Sequence, residues 1–356
     1  PRVRLEALRG LAKFQSLSAA EAAMLALDKP LDRFLDFALW QTMRDLEPYW
    51  LPAVQEGKVV FDGDIDKLAF ALRAIDSPAV VEPLLTLIAS GKVADDQVAG
   101  VLMVMANLGG AEDLGQVFAL ASSDARLSNE DKAELLEALV AATNSRKVIP
   151  TGDLAALRTL IKSSDPRVRA AALRAAGEWK QESLRDVVSK LALNTNVDRQ
   201  ERDAAIDAVT AFNGPESVKT LNQLSMLDNY DDRLRAVRSL SVIAPKLAAQ
   251  RAVEVLKTLP EGSDPSLVLE VLLGRKNGPA ELIAALANTE LDVDVAKMTL
   301  RAVRSSSQQS PELIAAIQKA GGLSEAGWKL TPELLQELVA EVAASGDAHR
   351  GEAIFR

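Results

Sequence analysis

The chain has no cysteine and a single histidine, His349, among 356 residues. The first absence excludes a disulfide framework, a cysteine nucleophile, thiolate-bound zinc and any haem attached covalently to these residues. The second excludes a multi-histidine metal centre and most histidine-based triads. Aromatic residues are scarce at 4%, although hydrophobic residues make up 48% of the chain and charged residues 26%. A chain this apolar is not disordered. Its apolar content is mostly Ala, Leu and Val, which suits close helix–helix packing better than a β-sandwich or barrel. Long apolar runs are missing as well. The strongest, Val98 to Ala106, falls well short of the roughly 18 residues that a spanning helix needs, so no membrane span is expected in this segment. Positive charge is in deficit, with a net charge of -9 and a pI near 5.0. That balance argues against nucleic acid or an anionic membrane surface as partner.

What is present is a repeat. The length exceeds one ordinary compact core, so either two domains or an elongated array is expected. The clearest unit is Asp165-Pro166-Arg167-Val168-Arg169-Ala170-Ala171-Ala172-Leu173. An acidic residue opens a helix, a proline takes its first position, and an Ala/Leu/Val run follows. Similar starts at Asp32, Asp64, Asp96, Asp131, Asp165, Asp198, Asp232, Asp264 and Asp292 follow one another at intervals of 28 to 35 residues. So steady a period predicts stacked helix pairs, because one pair cannot bury both its faces alone. Asp165 and Arg169 are placed for an i,i+4 ion pair. A second helix follows each break, as at Ser183 to Ala192 and Ser217 to Ser225, and Gly214-Pro215 and Gly262 sit where breaks belong. The opening Pro1-Arg2-Val3-Arg4-Leu5-Glu6-Ala7-Leu8 matches the clearest unit without its Asp. It reads as an amphipathic helix, not a signal peptide, and with no initiator Met it is expected to be an internal point of a longer protein.

At Asp165-Pro166-x-Val168-Arg169-x-x-Ala172 the chain resembles HEAT repeats. The resemblance covers roughly residues 1–305 and is weakest between 32 and 150. It implies an all-α fold, a HEAT-like α-α superhelix forming a right-handed solenoid of helix pairs. The expected organisation is a repeat array over 1–305, capping helices and a linker over 306–345, and a further short segment over 346–356.

The chain shows no catalytic constellation. Glu130, Asp131, Glu134 and Glu137 share one helix, and Asp231 and Asp232 open another; solvated faces and caps account for both groups. Asp292-Val293-Asp294 is only loosely like a calcium loop, lacking the turn glycine and the closing Glu. Gly109-Gly110 and Gly321-Gly322 belong to no phosphate-binding pattern and read as helix stops. No Gly-x-Ser-x-Gly elbow occurs. One segment stands apart in composition. Phe34, Phe37, Trp40, Tyr49, Trp50 and Phe61 gather six of the fourteen aromatics into 28 residues. They form either a local core of larger rings or, with Phe37, Trp40, Tyr49 and Trp50 outward, a docking face for a neighbouring domain.

The C-terminal residues leave the repeat. Thr331-Pro332-Glu333 opens a helix expected to end at Ser345-Gly346. The stretch Gly346-Asp347-Ala348-His349-Arg350-Gly351-Glu352-Ala353-Ile354-Phe355 resembles the opening of a class I c-type cytochrome domain. In that family Cys-x-x-Cys-His follows, whereas this chain stops at Arg356. Together with Leu27-Asp28-Lys29-Pro30-Leu31-Asp32-Arg33-Phe34-Leu35-Asp36, the whole is similar to long planctomycete-type multidomain proteins. In these a sugar-dehydrogenase-like β-propeller precedes HEAT repeats and a C-terminal haem c domain. The resemblance implies a scaffold between the two, a periplasmic or cell-envelope location, and haem c in the parent protein with no cofactor in this chain. It carries over no catalytic residue, because the propeller's site and the haem ligands fall outside these residues. The alternative is a free-standing HEAT array that binds a protein partner.

Overall fold

The computed structural model describes residues 2–75, 81–91, 93–260, 263–306, 310–323 and 331–355. Pro1, Gly262 and Arg356, singled out above, lie outside these residues, as does part of the 306–345 linker. Among the described residues there are twenty-two α-helices, a few 3-10 turns and no strand. The fold is an all-α helical repeat, as the spacing predicts. The chain divides into two compact units, one of Pro1–Leu184 with Asp198–Ala204, the other of Arg185–Val197 with Ala205–Arg356.

Most helices start where the repeat places its aspartates. The carboxylates of Asp32, Asp64, Asp165, Asp198, Asp264 and Asp292 each accept the backbone N–H two residues ahead, at 2.8–3.0 Å. This satisfies a donor that the first helical turn leaves free. Three starts need correction. Asp96 lies in a 3-10 turn, Asp95–Gln97, ahead of its helix. Asp131 and Asp232 sit inside the first turn, and the caps are Ser128 and Asn229, three residues earlier. Ser128 and Asp131 form a reciprocal box, each side chain accepting the other's backbone N–H at 3.1 and 2.8 Å. The glycine pairs are helix stops. Gly109 ends the Val98–Leu108 helix, and Gly321 ends Pro311–Ala320. Gly214 adopts φ +87, a left-handed value that favours glycine, just before Pro215 opens the next helix.

The clearest repeat shows why alanine dominates. The Pro166–Glu178 helix buries Val168, Ala170, Ala171, Ala172, Leu173, Ala175, Ala176 and Gly177, which lie around most of its circumference. A helix apolar nearly all round is packed on several sides, and small side chains let its neighbours approach. Larger rings appear only locally: Phe118 and Trp179 meet edge to face at 5.3 Å.

Side chains tie each helix pair to the next across about one repeat of sequence. In the first unit, Thr42 Oγ1 donates to the Leu8 carbonyl and Gln97 Nε2 to that of Gly63, each 34 residues away. Trp179 Nε1 donates to Thr143 Oγ1, 36 residues away, at 3.0 Å. The Arg146 guanidinium donates to the carbonyls of Gly109 and Ala106, both at 2.8 Å, and so closes the C-terminus of the Val98–Leu108 helix. In the second unit, Arg275 Nε reaches Ser241 Oγ, 34 residues back. Arg169 corrects the local pairing read from sequence. It turns away from Asp165 to Glu201 Oε2 at 2.8 Å and to the carbonyls of Ser163 and Ser164. Glu130 likewise meets Arg167 at 2.9 Å, and Glu137 meets Arg174 at 3.7 Å. The acidic helix thus faces the basic side of the following repeat.

Candidate interaction surface

The aromatic segment is laid out by the Arg33–Asp45 helix, capped at Asp32. Leu35, Leu39, Thr42 and Met43 recur at helical spacing and form its buried stripe. Phe34 and Phe37 fall outside that stripe and are 60% and 63% exposed. Trp40, one turn beyond Phe37, is half-buried. Its ring stacks on Phe37 with centroids 5.9 Å apart and planes 22° from parallel. Arginines lie over both ends of this row. The Arg33 guanidinium sits 4.6 Å from the centroid of the Phe34 ring, and that of Arg44 sits 4.7 Å from Trp40. The attraction is between a cation and the electron-rich ring face. Both arginines are exposed. Among the described residues neither Arg33 nor Arg44 forms an ion pair.

Trp50 does not belong to this surface. It lies in the Glu47–Gln55 helix with no exposed area, donates Nε1–H to the Met43 carbonyl at 2.9 Å and packs on buried Phe61, centroids 5.9 Å apart. Placing it on the docking face is therefore corrected. Tyr49, its neighbour, is half-buried. The segment is thus two things at once: Trp50 and Phe61 are core, and Phe34, Phe37 and Trp40 face outward. The spacing of Leu35, Leu39, Thr42 and Met43 sets Phe34 and Phe37 apart from the buried stripe but carries no signal for Trp50 and Phe61, which lie in other elements.

Elsewhere the carboxylates are engaged in structure. Asp294, inside the calcium-like triplet, pairs with Arg350 and lies 3.6 Å from Lys297, while Asp292 caps its helix. The Arg350 guanidinium holds the Asp294 carboxyl below the usual carboxylate range, against the opposing pull of burial. Arg126 does the same to Asp124. The Lys67 amine is raised by its contact with Asp28 at 2.8 Å. Among the described residues no group of three or more His, Asp or Glu has an arrangement that could hold a metal ion. No described helix is long and apolar enough to cross a membrane.

The C-terminal helices form where expected. Thr331 caps Pro332–Ser345, which ends at Gly346. Asp347 then accepts the N–H groups of His349 and Arg350 at 2.9 and 3.0 Å and opens Ala348–Phe355. His349 is exposed. The side chain of Ile354, part of the cytochrome-like pattern, lies outside the described ones.

The caps at Asp165 and Asp198, the alanine-packed helix between them and the ties one repeat long together have the form of one family of helix pairs. Residues 154–241 match the family model for HEAT repeats. The HEAT match takes in the starts at Asp165, Asp198 and Asp232, whose motifs are the clearest, and ends short of the aromatic and C-terminal segments. No curated protein matches the chain.

Proposed function

We propose that the chain is the helical-repeat scaffold of an exported multidomain redox protein, placing an upstream sugar-dehydrogenase-like propeller against a downstream haem c domain. The coarse part of this reading, a HEAT-type helical-repeat scaffold, has the family match and the helical fold behind it. The finer part is supported by one observation. Gly346 to Phe355 resembles a cytochrome c opening, and here it is a capped helix pinned to the repeat by Arg350 on Asp294. The chain holds no thiol for haem attachment, so in this reading the haem would be held by residues after Arg356.

The chain's own part is then positional. The ties spaced one repeat apart hold successive helix pairs in register, and the Asp294–Arg350 contact fixes the helix Ala348–Phe355 on the helix Val293–Ser305. Distance between redox centres would follow from the number and packing of the repeats. By the same resemblance the parent protein works in the periplasm or cell envelope.

The test is to extend the chain past Arg356 from the parent gene and mature it in an exporting host. A Cys-x-x-Cys-His motif is expected within about twenty residues, with covalent haem and Soret absorbance in the extended protein. The chain alone should show neither Soret absorbance nor dehydrogenase activity. A parent gene that ends near Arg356, or continues without that motif, removes the electron-transfer reading. A free-standing protein-binding HEAT module then takes its place, and the outward row of Phe34, Phe37 and Trp40 favours it.

A further inference from the structure

The outward face of the Arg33–Asp45 helix carries chemistry that names its partner. Its apolar part is exposed Phe34 and Phe37 with half-buried Trp40, the last two stacked. Its charged part is Arg33 and Arg44, eleven residues apart. That is three helical turns, so the two backbones bracket the rings at about 16 Å along the axis. Each guanidinium carbon lies over a ring, 4.6 Å from the Phe34 centroid and 4.7 Å from that of Trp40. Such a contact removes part of the rotamer freedom that a long side chain loses on binding, which lowers the cost of holding a carboxylate there. The arginines at 126, 167, 169 and 235 show the contrast, because each already holds a carboxylate of this chain. Asp36 and Asp45 of the same helix are also exposed, Asp45 accepting from Gln41 Nε2 at 2.9 Å, so an acidic segment meets the two arginines and not a uniformly positive face.

We infer that this face docks an acidic amphipathic segment of another protein or domain, with carboxylates on Arg33 and Arg44 and apolar side chains over Phe34, Phe37 and Trp40. The inference rests on the geometry of this face and not on the redox part of the scaffold reading. It survives if no haem domain follows, and haem attachment is unaffected if the docking fails.

A designed helical peptide serves as the probe, with Glu at positions i and i+11 and Leu at i+4 and i+7. Companion peptides carry Gln or Lys at the two Glu positions. Binding to the whole chain is read by the change in tryptophan fluorescence and by calorimetry. The acidic peptide should bind at least tenfold more tightly than the Gln version, and the Lys version should not bind. The double change Arg33→Glu and Arg44→Glu should reverse that order, favouring the Lys peptide. Trp40→Ala should weaken the acidic peptide while leaving its preference over the Gln peptide. The charge changes fall on exposed side chains, and circular dichroism melts confirm that the variants fold. Equal binding of all three peptides would reduce the face to plain apolar adhesion and overturn the inference. Absence of binding by the acidic peptide, or no reversal in the charge-swapped protein, would overturn it too.

Discussion

The helix Pro166–Glu178 begins with the Asp165 carboxylate accepting backbone N–H groups and a proline in its first turn. Pro332–Ser345 begins with the Thr331 hydroxyl doing the same, and again a proline follows. The two have 13 and 14 residues and are rich in Ala, Leu and Val. The first buries eight residues. The second buries none, and leaves Leu335, Val339 and Val342 at 51%, 61% and 67% exposure. Capping and propensity thus specify a helix equally well in both places. What differs is the neighbours, and only neighbours turn an apolar stripe into core.

The sharpest way to break this comparison is to place one carboxylate in each helix. Leu173→Asp buries an unpaired charge at a fully covered site and should cost several kcal/mol in urea unfolding. Loss should appear first in the adjacent repeats. Leu335→Asp should change the unfolding free energy by no more than about 0.5 kcal/mol. Equal effects would show that one of the two burial states is wrong.

The same contrast runs through the aromatic segment. Trp50→Ala empties a core site and loses the hydrogen bond to Met43, so it should cost about 3–5 kcal/mol. Phe37→Ala removes an exposed ring and its stack on Trp40, and should cost about 1 kcal/mol or less. Denaturant curves of the two single variants decide it.

Ion pairs between repeats sharpen the picture further. Arg169 and Glu201 keep 21% and 11% of their side-chain surface, and a double-mutant cycle should give a coupling of about 1.5–3 kcal/mol. Arg167 and Glu130 sit at similar distance but are half-exposed or more, and their coupling should be clearly smaller, because solvent screens the pair. Matching values would mean that solvent exposure does not set the strength of these ties.

The smallest effect concerns the last helix. The folded Asp294 carboxyl lies below its unfolded value, chiefly through the Arg350 guanidinium. Its contribution is therefore complete at pH above that value and disappears as pH falls through the folded one. Amide exchange in Ala348–Phe355, corrected for intrinsic rates, should be protected at neutral pH and rise in acid. Asp294→Asn should raise it at neutral pH, with the global melt unmoved. Unchanged protection in that variant would show that Arg350 does not pin the helix.

These cases also show what can be read from sequence. Helix starts at Asp165, Asp198 and Asp292 were legible because a cap is a contact over two or three residues. At Asp131 and Asp232 the reading slipped by three, since Ser128 and Asn229 cap as well as aspartate does. Arg169 was misassigned because Asp165 is near in sequence, while Glu201, 32 residues on, becomes near only after the helices stack. The aromatic segment was visible as composition. Its division into core and surface was not, because Trp50 and Trp40 belong to different helices with different buried stripes.

Pulled from its two ends, a chain stitched by Thr42 to Leu8, Gln97 to Gly63, Arg146 to Gly109 and Trp179 to Thr143 would lengthen in instalments. Each stitch spans 34 to 37 residues, so each rupture releases roughly 110 Å of extended polypeptide. The force trace of the first unit should be a saw-tooth of nearly equal teeth. The Arg146 stitch, with two hydrogen bonds sharing the load across one guanidinium, should give one of the taller peaks. A protein so built yields to tension by paying out slack one helix pair at a time, while the remaining pairs keep their shape.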